Sequence, residues 1–157
     1  MGAQTIYNFR SVAVDFTPTL DTNAYAQNDI LFDLQAAALG QGDRVKGTIN
    51  GFTLIDKDDQ GNQLTLVISD SSTASLGTVN SAVTISDADA ATILGYVDTG
   101  ETYEDFVNSK LVKPSAFTPI PFSSDNGSIY VGAILRGAAT PTHTASGITI
   151  RLHLTIE

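Results

Sequence analysis

The sequence predicts an all-β protein: an antiparallel β-sandwich, jelly-roll-like, with one short helix near residues 87–94. Three observations carry that expectation. Apolar side chains recur at every second position, most cleanly at Ile148, Ile150, Leu152, Leu154 and Ile156, which is the period of a strand with one buried face. Thr, Ser, Gly, Asn and Asp are abundant, Lys and Glu are scarce and Trp is absent, a composition that suits strands joined by turns better than helices. Nothing repeats at a fixed period, which excludes solenoids and propellers. Alternation leaves each sheet one wet face, so two sheets must pack face to face. An immunoglobulin-type sandwich is the second choice and lacks the cysteine and tryptophan marks of that fold.

The chain has 157 residues, enough for one domain. It divides into an N-terminal arm over 1–10, where no period is visible, and a sandwich domain over 11–157. A chain of this size buries roughly 70% of its unfolded surface and needs no staples. It contains no cysteine, which excludes disulfides, thiolate metal sites and a thiol nucleophile. Seventeen acidic residues against eight basic ones give a net charge of −9, a field that repels nucleic acid phosphates and anionic lipid. Neither nucleic acid nor membrane is therefore expected as a partner. Residues 1–5 are too polar for a signal peptide, and no apolar run reaches membrane-spanning length, so folding in the cytosol is expected.

In chain order, 11–16 (SVAVDF) and 30–34 (ILFDL) read as short strands. Residues 35–39 (QAAAL) fit one helical turn, stopped by Gly40 and Gly42. Residues 45–70 (VKGTINGFTLIDKDDQGNQLTLVISD) read as a long hairpin. On its outward limb Val45, Gly47 and Ile49 hold one parity, and Phe52 and Leu54 the other. The phase slip at Asn50-Gly51 predicts a β-bulge. Leu54 facing Leu64 and Phe52 facing Leu66 would pin the register of such a hairpin.

Residues 71–81 form a polar loop with one candidate for burial, Leu76, and 82–85 a short strand. Ser86 is positioned to cap a helix with Asp87 and Asp89 in its first turn, Ala90, Ile93 and Leu94 on its apolar face and Gly95 closing it. Tyr103, Phe106 and Val107 are spaced as in a second helical turn. Pro114, Pro119 and Pro121 make 112–122 an edge strand or extended lace. Residues 124–127 (SDNG) signal a tight turn, followed by strands over Ile129–Leu135 and 148–156 joined by a long loop.

Catalytic chemistry is sparse. The loop DKDDQG, residues 56–61, opens like a calcium loop, with Asp56, Asp58 and neighbouring Asp59 as oxygen donors and Gly61 at the sixth place. Val67 then stands where a bidentate Glu is required, so a solvated acidic tip is the favoured reading and no metal or other cofactor is expected. His143 and His153 lie in no metal-binding motif. There is no G-x-S-x-G elbow, phosphate loop or dinucleotide fingerprint. Tyr25, Tyr96, Tyr103 and Tyr130 are possible platforms for sugar rings, though half-buried tyrosines are ordinary in sandwiches.

Four stretches together resemble small virion proteins of tailed bacteriophages, of the capsid decoration (cement) type. They are DTNAYAQNDILFD (21–33), the 45–70 segment, SDADAATILGYVDTG (86–100) and GITIRLHLTIE (147–157). The resemblance covers more than half of the chain. It implies a jelly-roll-like domain, without catalytic residues and often trimeric, on the outside of a capsid. There it ties neighbouring major capsid protein subunits together, and Tyr25 and Asp29, at matched motif positions, have structural roles. The expected location is the virion surface, after synthesis in the host cytoplasm. The arm 1–10, the loop 71–81 and the lace 112–122 are the expected contact segments. The alternative is a carbohydrate- or receptor-binding module of a phage tail or fibre. A hydrolase comes last, since it would need carboxylates clustered in a cleft.

Overall fold

Alternating sequence becomes ten strands and one helical turn in the computed structural model, which describes residues 9–112 and 117–157. The strands are β1 (Arg10–Phe16), β2 (Ile30–Ala38), β3 (Val45–Asp56), β4 (Leu64–Ser69), β5 (Ile93–Asp98), β6 (Glu104–Asp105), β7 (Lys110–Val112), β8 (Ile120–Ser124), β9 (Ser128–Leu135) and β10 (Ile148–Ile156). The helical turn α1 (Asp87–Ala90) precedes β5. Two antiparallel sheets pack into a sandwich. The first has the order β1-β10-β3-β7-β6, with β8 also on β3, and the second β2-β9-β4-β5. The expected arm over 1–10 lies almost wholly outside the described residues, as does Pro114 of the lace.

The core is the set of inward positions that alternation predicts. From the first sheet come Ile49, Phe52, Leu54, Ile150, Leu152 and Leu154, and from the second Phe32, Leu64, Leu66, Ile129, Val131 and Ala133, all within one buried cluster. Each fully buried Leu, Ile or Phe contributes about 1.5–3 kcal/mol. The phase slip at Asn50-Gly51 is a real bulge. His153 pairs with Gly51 and Leu154 with Ile49, so Asn50 is the extra residue and both halves of β3 face inward. The proline-bearing β8 pairs only with β3, as an edge strand must, and Pro121 points outward between buried Ile120 and Phe122.

Several expectations are corrected. Residues 45–70 are not a hairpin: β3 pairs with β10, β7 and β8, whereas β4 pairs with β9 and β5 in the opposite sheet. Leu54 and Leu64 lie on opposite sheets within the same buried cluster, not side by side on one sheet. A two-residue period reports which face is buried and is silent about which strand lies alongside. Residues 35–38 continue β2 instead of forming a helical turn. Their pairing with Ser128–Val131 and the burial of Ala37 outweigh alanine's helix preference. Residues 82–85 contribute one isolated bridge, Asp29 to Ala82, and no strand.

The helix is shorter than expected. Ser86 caps it through Asp89 N, as predicted, but it ends at Ala90. Ile93 and Leu94 belong to β5, where Ile93 packs on an outer cluster and Leu94 on the main core. Gly95 is not a helix stop; a Cβ there would come within 2.8 Å of Ile120 Cδ1. Tyr103, Phe106 and Val107 form no helical turn either. β6 and β7 make a small hairpin with Phe106 and Val107 exposed at its tip.

All six residues of β4 are buried, so its second face is also covered. The cover is the 71–85 segment. Asp33 holds it by accepting from Ser75 Oγ and Leu76 N, both at 2.6 Å, and Leu76 then packs with Ile30, Val67 and Ile134. The loop expected to be polar and outward-reaching thus closes over its own sheet.

Candidate functional site

β3 ends by placing a charge where its pattern demands a hydrophobe. Asp56 shares the inward parity of Phe52 and Leu54 and is 2% exposed. The turn after it satisfies the carboxylate, with Asp58 N donating to Oδ1 at 3.0 Å and Gly61 N to Oδ2 at 2.7 Å. Asp58 is fixed from the other side of the sandwich end. Thr144 N donates to its Oδ2 at 2.7 Å and the Thr144 hydroxyl to its Oδ1 at 2.9 Å. Lys57 N donates to Gly147 O at 2.7 Å, which knits the β3 end to the 137–147 loop. A Cβ at position 147 would lie 1.7 Å from Asp58 Oδ2, so any residue but glycine would displace the Asp58 carboxylate.

That loop delivers His143 to the two acids. The imidazole is 2% exposed, with Nδ1 3.4 Å from Asp58 Oδ2 and 4.0 Å from Asp56 Oδ1. The contacts lack hydrogen-bond geometry, and both ring nitrogens are buried without a hydrogen-bond partner. The Tyr25 ring packs edge-on against His143 at 6.3 Å between centroids. Donor atoms of Asp56, Asp58 and His143 all lie within 4.8 Å of one another. Burial pushes the Asp58 carboxyl upward, but the Thr144 amide and hydroxyl and the neighbouring His143 outweigh it, and the net shift is downward.

Among the described residues, the ion pairs reaching Asp56 and Asp58 come from His143 alone. Two carboxylates and an imidazole thus converge at a mostly buried strand end, with no Lys or Arg paired to either acid among the described residues.

The acidic tip of the sequence reading is therefore split. Asp56 and Asp58 turn inward, whereas Asp59 turns away, with Oδ1 3.5 Å from Lys110 Nζ. The third member, His143, lies in no sequence motif with the acids and reaches them only through the fold. His153 lies on the outer face of the first sheet, 3.0 Å from Thr53 Oγ1. A signal was present: an aspartate on the inward parity of a strand needs a partner brought from elsewhere.

The motif residues Tyr25 and Asp29 both shape the β1–β2 connection. The Tyr25 hydroxyl accepts from Asp21 N at 2.8 Å and lies 3.0 Å from Leu31 O. Asp29 Oδ2 accepts from Ala26 N at 2.8 Å. Of the proposed sugar platforms, Tyr25 is buried and Tyr96 is 74% exposed. Tyr96 borders a groove of about 610 Å³ on the outer face of the second sheet. Val67, Ile93 and Ile134 line it, with Asp98 and Arg136. Arg136 Nε donates to Thr65 Oγ1 at 3.0 Å, and the Thr65 hydroxyl donates in turn to Asp98.

Neither the known protein-family models nor the curated proteins compared with the chain match it.

Proposed function

We propose that the chain is a non-enzymatic structural protein of a tailed-phage virion, a capsid decoration protein on the outside of the head that bridges major capsid subunits. The observation that carries this reading is the nesting of strand pairs. β1 pairs with β10, β2 with β9, β3 with β8 and β4 with β5, all antiparallel. A ribbon paired in that order and rolled up yields the two sheet orders described above, which we read as a jelly roll, an architecture used by viral capsid domains and lectins. The resemblance of four sequence stretches to decoration proteins supports the capsid choice over the lectin one.

A protein that binds only assembled particles stabilises them by mass action. Contact segments in this reading are the arm 1–10, the lace 112–122 and exposed parts of the 71–81 loop. The β6–β7 tip adds Phe106 and Val107, which are 58% and 83% exposed. Self-association as a trimer is part of the proposal. Size-exclusion chromatography with light scattering should give three times the 16.5 kDa chain mass. Heads carrying the protein should also retain their DNA at temperatures that empty bare heads. A monomer that leaves head stability unchanged contradicts the proposal.

The groove beside Tyr96 favours a second reading, a carbohydrate-binding module. An exposed ring over apolar side chains, with Asp98 and Arg136 at hand, is a plausible way to stack and hydrogen-bond a sugar. Binding on a glycan array that Tyr96→Ala abolishes would favour this reading; silence on the array favours decoration.

A further inference from the structure

We infer that Asp56, Asp58 and His143 form a site for a divalent transition-metal ion of zinc type, which clips the 137–147 loop to the end of β3. The site is built like a metal site in three respects. The donors are two carboxylates and one imidazole, a mixed oxygen and nitrogen set that suits zinc and its neighbours better than calcium, which takes six to eight oxygens. Donors each about 2.1 Å from a zinc ion stand roughly 3.0–3.5 Å apart. Nδ1 of His143 and Oδ2 of Asp58 are already 3.4 Å apart, and Asp56, with Oδ1 4.0 Å from Nδ1 and a donor atom within 4.8 Å of both partners, must draw in toward them. Both carboxylates are oriented by outer donors, Asp56 by the Asp58 and Gly61 amides and Asp58 by Thr144, as ligating carboxylates commonly are.

The decisive feature is His143. It is 2% exposed, its Nδ1 is directed at the two acids, and neither of its nitrogens has a hydrogen-bond partner. A buried imidazole left so is costly unless something else uses its lone pair. A dication bound there balances the two carboxylates and accepts that lone pair in one step. Asp58 remains partly solvent-accessible, with 15% of its side chain exposed, so the site is not sealed from solvent.

Isothermal titration of the metal-stripped protein with Zn²⁺ tests the site. One ion per chain is expected, with the melting temperature raised by on the order of 5 °C when the free ion is about a hundredfold above its dissociation constant. His143→Asn should weaken zinc binding at least tenfold and His153→Asn less than twofold. Calcium at the same concentration should shift melting by less than a third as much. If His143→Asn fails to fold, crystals of the unaltered protein grown with zinc decide the matter: the anomalous peak at the zinc edge must fall between Asp56, Asp58 and His143. No zinc binding, equal binding by His143→Asn, an equal calcium effect, or a peak only elsewhere overturns the site.

Discussion

Two tyrosine hydroxyls illustrate how single residues are tied to the fold. Tyr25 and Tyr103 are both pushed up to about 12 from the ordinary 10.0, chiefly by burial. The folded state therefore holds these protons more tightly than the unfolded chain does. The resulting stability is complete below pH 10 and is lost as pH climbs from about 10 toward 12. Titration of tyrosinate absorbance should show a component with a midpoint near 12 that shrinks when either residue becomes Phe. Tyr25→Phe should also cost about 1–2 kcal/mol in urea unfolding, because Asp21 N loses its acceptor and the carbonyls of Asp21 and Leu31 lose the hydroxyl proton between them. Wild-type stability from that variant would show that the hydroxyl contributes nothing to the β1–β2 connection.

At the scale of elements, the bulge in β3 makes an unusual demand on the sequence. Asn50 is the residue without an opposite number on β10, so deleting it restores a regular ladder in which Ile49 and Phe52 still point inward. The deletion should lose only the Asn50 Nδ2 to Thr155 Oγ1 hydrogen bond and some twist, about 1–2 kcal/mol. Deleting Thr53, three residues later, should instead throw Leu54 and Asp56 to the wrong face and prevent cooperative folding. Equal effects of the two deletions, measured by denaturant unfolding, would contradict the assigned register.

The elements also show what a sequence can and cannot carry. Period-two stretches were legible because burial of one face leaves its mark on every second residue, as in β9, β10 and both halves of β3. Short ambiguous runs were not. Gln35–Ala38 and Ile93–Leu94 have spacings or propensities that suit a helix, and only pairing with β9 and β4 decides for strand. Tyr103–Val107 misled because its apolar residues share no face: the Tyr103 hydroxyl donates to Asn62 O at 2.6 Å while Val107 is exposed.

For the whole molecule, the layer structure was readable and the wiring only in part. Alternation demands two sheets but does not assign neighbours, so β3 and β4 read as a hairpin although they lie in opposite sheets. Strands consecutive in sequence pass from one sheet to the other, as β1 to β2 and β3 to β4 do. The same crossing hides the site. Asp56 and Asp58 stand where β3 ends, and His143 arrives on the loop between β9 and β10, far away in sequence. The acids were visible in the sequence; their partner was a product of topology.

The two-sheet sandwich leaves loops and edge segments at its margins, where the proposed capsid surface would be met. Electron cryomicroscopy of tailed-phage heads assembled with and without this protein tests the capsid proposal most directly. The proposal predicts added density on the outer surface, in trimeric clusters that fit the sandwich and touch more than one capsid subunit. Identical heads in the two preparations, or density confined to the tail, would contradict it.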